Sequence, residues 1–187
     1  MSTASALNAP PTTIEPDGLY EVVDGLIVET PPMGAFEVEL ASILQDWMGP
    51  FARSNGLGRV VTEMLFVIDP ARGRQRRPDV AFVAHERWPI DRRAPKAAAW
   101  EVVPDLAVEI ISPTNRGYDD AIKLEEYFQA GTRLVWVVYP PTSKVYVYDS
   151  PTSVRILALG DVLDGGAVLP GFQLPLATWF GNEAEAP

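Results

Sequence analysis

Residues Leu134 to Tyr139, Leu-Val-Trp-Val-Val-Tyr, leave no polar position on either side of an extended chain. A strand of that kind is covered on both faces, so it lies inside a sheet with other structure above and below it. The segment before it, Arg116 to Ala130, carries Ile122, Leu124 and Phe128 at helical spacing and stops at Gly131. A helix leading into a buried strand is a crossover, which sets that strand parallel to a neighbour. The rest of the chain reads around this unit. Tyr20 to Val23 and Leu26 to Val28 flank Asp24-Gly25, a hairpin turn pair. Phe36, Leu40, Ile43, Leu44, Trp47 and Phe51 recur every three or four residues from Ala35, which predicts a first helix that Pro50 bends or ends near Gly49. Three strands are expected at Arg59–Ile68, Val80–Val83 and Leu106–Ile111, and Lys144–Asp149 pairs with the buried strand across a Pro-rich turn. Further short strands are expected in the tail. The predicted fold class is α/β (α+β), with the order helix, three strands, helix, strand and a mixed central sheet flanked by helices. One domain over residues 16–182 is expected, between a disordered start (1–15) and a flexible tail (183–187).

Composition narrows the chemistry. The chain has no cysteine and a single histidine, His85, which excludes thiolate metal sites, cysteine nucleophiles and multi-histidine zinc centres. His85 itself reads as a surface side chain. No apolar stretch is long enough to cross a bilayer. Met1 to Thr13 lacks the basic flank and apolar core of a secretory signal, so a cytoplasmic location is expected. The net charge of −10 argues against a surface that is basic throughout. Of the 15 basic residues, however, Arg72, Arg74, Arg76, Arg77, Arg87, Arg92, Arg93 and Lys96 lie in one short segment. That run is either a solvated surface or a local patch for a phosphate backbone.

The chemistry concentrates on carboxylates. Glu109 sits in the middle of Leu-Ala-Val-Glu-Ile-Ile, where an ionised side chain needs a metal, a cation or several hydrogen bonds. Asp79 opens the preceding strand, and neighbouring strands would bring the two acids to one edge. Two carboxylates make a site for a hard cation, and Mg²⁺, with Mn²⁺ as its substitute, suits them because it takes oxygen ligands and keeps most of its waters. Taken alone, Asp79 reads equally as a turn residue. On the following helix, Asp119, Lys123 and Tyr127 are four apart and share a face. Lys123 is the candidate for neutralising a phosphate, its plain alternative being a surface lysine paired to Asp119.

The ordered series Tyr20-Glu21-Val22-Val23-Asp24-Gly25, Pro78-Asp79-Val80, Glu109-Ile110-Ile111-Ser112-Pro113, then Asp119, Lys123, Tyr127, Ala130-Gly131 and Trp136, resembles the Uma family of restriction-endonuclease-like proteins, within the PD-(D/E)XK nuclease superfamily. The resemblance implies a restriction-endonuclease-like core with an added N-terminal hairpin and C-terminal strands. It makes Asp79 and Glu109 metal ligands, with the backbone carbonyl of Ile110 a third, and Asp79, Glu109 and Lys123 the catalytic set. Two departures stand out. The motif lysine two residues after the acid falls on Ile111, which leaves Lys123 to reach in from the helix, and Ala35-Phe36 stand where relatives commonly place a histidine. Glu37, Glu39 and Glu63 are outside candidates for the metal.

The function expected is metal-dependent hydrolysis of phosphodiester bonds in nucleic acid, DNA being favoured, with Arg72, Arg74, Arg76 and Arg77 contacting the backbone. The alternative is a catalytically degenerate module of the same fold that binds nucleic acid or a protein partner without cleaving. A glycosidase would need the same acid pair but neither the arginines nor Lys123. A homodimer is the expected assembly.

Overall fold

The computed structural model describes residues 18–112 and 117–181, with the backbone alone at 117–119. The expected disordered start and flexible tail lie outside the described residues. In chain order the elements are β1 (Tyr20–Val23), β2 (Leu26–Glu29), α1 (Ala35–Ser54), β3 (Gly58–Thr62), β4 (Phe66–Asp69), β5 (Arg74–Arg76), β6 (Val80–Ala84), β7 (Leu106–Ile110), α2 (Gly117–Ala130), β8 (Leu134–Tyr139), β9 (Lys144–Ser150), β10 (Ser153–Leu157), β11 (Val162–Gly165), β12 (Leu169–Pro175) and α3 (Leu176–Phe180).

Six strands form the central sheet in the order β10-β9-β8-β7-β6-β3. Every neighbouring pair is antiparallel except β7 and β8, which run parallel across the α2 crossover. This is the mixed sheet expected from the sequence, and β8 lies inside it with Leu134 to Val138 all buried. Strand alternation then sorts the side chains. Val80, Phe82, Leu106, Val108, Ile110, Trp136 and Val138 join the core beneath α1 and β12, together with Leu40, Leu44 and Met48. Ala107, Val135 and Val137 face the other way and pack with Tyr127 of α2.

Two sequence expectations are corrected and a third is narrowed. Arg59 to Ile68 is two strands in two sheets: β3 belongs to the central sheet, and the chain turns at Glu63, which has φ +47°, before β4 enters a second sheet of order β2-β1-β5-β4. A left-handed residue cannot continue a ladder, and nothing in a glutamate signals that conformation in advance. Of the two outcomes expected at Pro50, bending or ending, ending is ruled out, since α1 runs on to Ser54. The ring costs one helical hydrogen bond, offset by the burial of Ala52 and by the edge-on contact of Phe51 with Phe172, ring centroids 5.6 Å apart. The buried stripe of α1 is also rotated from the expected one. Leu40, Ala41, Leu44, Met48 and Ala52 face inward, whereas Phe36 and Trp47 are 47% and 42% exposed. Part of the tail is helical too: α3 locks onto α1 through Trp179, whose indole N–H donates to the Leu40 carbonyl at 2.9 Å.

The second sheet is tied together by its own turns. Asp24 and Gly25 both have positive φ, as a tight hairpin turn requires, and Gly25 N–H donates to the Gly73 carbonyl at 3.0 Å. Gly73 is itself left-handed, and a β-carbon there would lie 3.2 Å from the Gly25 backbone. The β1–β2 hairpin is thereby pressed onto β5, beside the end of β7. Among the described residues no helix is long and apolar enough to cross a membrane.

The inward stripe is testable by contrast. Leu44→Ala, at a side chain with no exposed surface, is expected to lower unfolding free energy by ~2–5 kcal/mol. Trp47→Ala should cost clearly less in the same urea titration, and equal losses would contradict the assigned face.

Candidate active site

The antiparallel register of β6 and β7 pairs Val80 with Val108, Ala81 with Ala107 and Phe82 with Leu106. Continued by one residue, it sets Asp79 opposite Glu109. Both are odd-numbered, so both project to the face that carries Ala107 and Tyr127, away from α1. The pairing of β3 with β6 continues in the same way, with Glu63 N–H donating to the Asp79 carbonyl at 3.1 Å. Asp79 is fixed from the β7 side as well, since Ile110 N–H donates to its Oδ2 at 2.6 Å. The two acids border a cleft of about 660 Å³ between the central sheet, the N-terminal hairpin and α2, with Glu21, Glu63, Ile110 and Lys123 also in its wall.

Helix α2 supplies the groups above the pair. Tyr127, fully buried, donates its hydroxyl to Glu109 Oε1 at 2.7 Å. One turn earlier, Lys123 Nζ lies 3.5 Å from Glu109 Oε2 and 3.1 Å from Glu21 Oε1. The sequence offered Asp119 as the lysine's partner. Its side chain lies outside the described residues, and the partners seen for Lys123 are the two glutamates. Glu21 accepts further bonds, from Arg76 Nη1 at 2.8 Å and from Arg77 N–H at 3.0 Å. Arg76 in turn reaches Glu126 Oε2 at 2.6 Å.

These contacts set the protonation states. Burial pushes Asp79 up to about 8, with the Glu109 charge adding to the rise and the Ile110 N–H and Lys123 opposing it. Burial also raises Glu109, against the pull of Lys123 and the Tyr127 hydroxyl. For Lys123, burial alone would lower the value, yet the charges of Glu109 and Glu21 outweigh it and keep the ammonium protonated well past its ordinary range. Tyr127 is held well above an ordinary phenol by burial and by the neighbouring glutamates. Two facing carboxylates that resist ionising together are a donor set suited to a small hard cation, which removes their repulsion. Among the described residues no group of three or more His, Cys, Asp or Glu side chains gathers as a complete metal cage. An ion here would therefore complete its shell with backbone oxygen, water or substrate, as Mg²⁺ commonly does.

The remaining candidates are distributed as follows. Ile110 borders the cleft, while Ile111, at the motif-lysine position, packs beside Tyr127 and is tied to Val138 through its backbone N–H. The four arginines do not form one free patch. Arg76 is buried between Glu21 and Glu126, Arg74 pairs with Asp24 and Glu126, and Arg77 donates to the Tyr20 and Glu63 carbonyls. Arg72 is exposed and lies 3.8 Å from Asp69. Glu63 faces the cleft, whereas Glu37 and Glu39 of α1 are absent from its lining, and His85 is exposed beside Glu86. Glu21 was quoted in the sequence only as part of a pattern, and Tyr127 only as part of a helix face. The signal for Glu21 was present, because a glutamate inside Tyr-Glu-Val-Val is the same anomaly that singled out Glu109.

A sequence model of the Uma2 family, described as "Putative restriction endonuclease", matches residues 6–177. No curated protein matches the chain. Among solved structures, a putative nuclease belonging to DUF820 from Anabaena variabilis superposes with a TM-score of 0.75 at 17% identity, covering 86% of this chain and 89% of that one. That likeness fixes a shared fold. A cryo-EM structure of a DrdV–DNA complex gives a TM-score of 0.41 at 16% identity over 76% of this chain and 11% of that one, too slight a likeness to bear on the site.

The raised Asp79 makes a signed prediction. Between the ordinary aspartate value of 3.8 and about 8, the unfolded chain has released a proton that the folded one still holds, so metal-free stability falls as pH rises through this window. Asp79→Asn keeps an oxygen for the Ile110 N–H and removes the titration. In EDTA, its urea-melt stability should fall less between pH 5 and pH 8 than that of the wild type; parallel losses would contradict the assignment.

Proposed function

We propose that this chain, which belongs to the Uma2 family described as putative restriction endonucleases, is a metal-dependent nuclease that hydrolyses phosphodiester bonds, with DNA as its substrate. The observation that carries the reading is the register of β6 and β7, which sets Asp79 opposite Glu109 on one wall of a cleft that also holds Lys123.

In this reading the carboxylates of Asp79 and Glu109, with the backbone carbonyl of Ile110, hold Mg²⁺, for which Mn²⁺ can substitute. When bound, such an ion polarises a phosphate and lowers the pKa of a water. The protein's own groups do the rest. Ile110 N–H and the Tyr127 hydroxyl each occupy one lone pair of an acid and fix its rotamer, leaving the other oxygens to turn toward the cleft. Lys123 carries a full positive charge at the wall, where a phosphate would gain negative charge as water adds and the sugar oxygen leaves. It does from α2 what the lysine two residues after the acid does elsewhere in the superfamily, a position that is isoleucine here. Of Arg72, Arg74, Arg76 and Arg77, Arg72 is the exposed one and the one open to a phosphate backbone, and such contacts would weaken steeply with salt. A cytoplasmic homodimer is the setting proposed for this activity.

One observation favours a second reading, a non-cleaving module of the same fold: the Lys123 ammonium is already flanked by two carboxylates. Metal binding and cleavage measured together separate the two. Calorimetric titration with Mn²⁺ should show binding that Asp79→Ala abolishes, and a plasmid-nicking assay should lose ~10²-fold or more of its rate in Asp79→Ala and in Lys123→Ala. Tight Mn²⁺ binding with no cleavage of any DNA or RNA would favour the module, and indifference to Mn²⁺ would overturn the nuclease reading outright.

A further inference from the structure

Lys123 is not held chiefly by the acid it serves. Its ammonium is nearer to Glu21, at 3.1 Å, than to Glu109, at 3.5 Å. Glu21 comes from β1 of the second sheet, is almost wholly buried, and has both carboxylate oxygens engaged. Oε1 takes Lys123 and the Arg77 N–H, and Oε2 takes Arg76. Arg76 is fixed from its other side by Glu126, also buried and also on α2. Two donors on one oxygen and a guanidinium on the other fix the carboxylate's orientation, and a carboxylate so fixed can hold an amine in place.

From this geometry we infer that Glu21 is the positioning residue for Lys123, the anchor that keeps the ammonium at the cleft wall when Glu109 turns to other work. The inference rests on the nuclease reading above. Were Glu109 the sole holder, any rearrangement that turned its Oε2 to another partner would release the lysine. With Glu21 behind it, Lys123 loses one contact and keeps the shorter one. The second sheet thereby acquires a role in the chemistry: it carries the anchor, and the Arg76–Glu126 bridge ties that anchor to the helix bearing the lysine.

Glu21→Gln in the full chain tests this with three readouts: steady-state cleavage, Mn²⁺ affinity by calorimetry, and the Lys123 ammonium resonance in ¹H–¹⁵N spectra, which is sharp only while hydrogen bonds slow its exchange. The expected result is a ~10²-fold fall in kcat, the size of loss that a catalytic group displaced by about an ångström produces, with KM and Mn²⁺ affinity unchanged and the resonance broadened away. A kcat like the wild type's, a resonance that persists, or Mn²⁺ affinity lost together with kcat would each overturn the inference, the last because Glu21 would then be a ligand. If Glu21→Gln does not fold, Glu21→Asp carries the same test, since it keeps a charge for Arg76 but withdraws from Lys123 by one methylene; full kcat with a sharp resonance overturns the inference there too. Lys123→Ala separates the layers. Should it cleave like the wild type, the nuclease role of Lys123 falls and the inference with it; should it be inactive while Glu21→Gln is fully active, the inference alone falls.

Discussion

Across the seam between β6 and β7 an aspartate and a glutamate face each other on the same side of two strands whose other residues are all apolar. Two ionised carboxylates in that position lose their water and repel each other; burial raises both, the Glu109 charge adds to the rise at Asp79, and the Glu21 charge adds to it at Glu109. Much of the surrounding structure answers this pair. The Ile110 N–H, the Tyr127 hydroxyl and the Lys123 ammonium each contribute to one or other acid, and the helix that carries two of them is the crossover that makes β7 and β8 parallel. The topology and the site are therefore consequences of one arrangement. A crossover helix packed on the β7–β8 seam necessarily lies over whatever β7 projects to that face.

A second layer of charge lies behind the first. Glu21, Arg76 and Glu126 are buried and alternate in sign, and they join the N-terminal hairpin, β5 and α2. Buried ion pairs of this kind add little net stability over apolar packing, but removing one member strands the others, so they specify a geometry more than they strengthen a fold. Here the geometry specified is the place of Lys123. The Asp24-Gly25 turn, seated on Gly73, fixes the hairpin that delivers Glu21. A sheet that began as an addition to the core becomes part of how the site is held.

Much of this was legible in the sequence, for physical reasons that differ by element. The β8 run, the Asp-Gly hairpin and the α2 periodicity depend on local pattern, and each element formed where the pattern put it. Glu109 was legible because an acid in an apolar strand has no inexpensive explanation, and the family match to residues 6–177 agrees with the ordered motif series. What escaped depends on contacts distant in sequence. The break at Glu63 rests on a left-handed glutamate, the rotated face of α1 on where β12 and α3 dock, and the burial of Arg76 on two glutamates about fifty residues away on either side. The arginine run read as one basic segment, yet alternation along β5 and the approach of β1 turned part of it inward. Charge counted along a chain does not reveal which charges are already paired.

The central claim is that Asp79 and Glu109 share one divalent cation. A crystal soaked in Mn²⁺ and measured at the manganese edge tests it most directly. The account predicts an anomalous peak between the two carboxylates, within about 2.0–2.6 Å of an oxygen from each, the range of oxygen–cation bonds for such ions. A peak elsewhere, or no peak between the two carboxylates at saturating Mn²⁺, would contradict it.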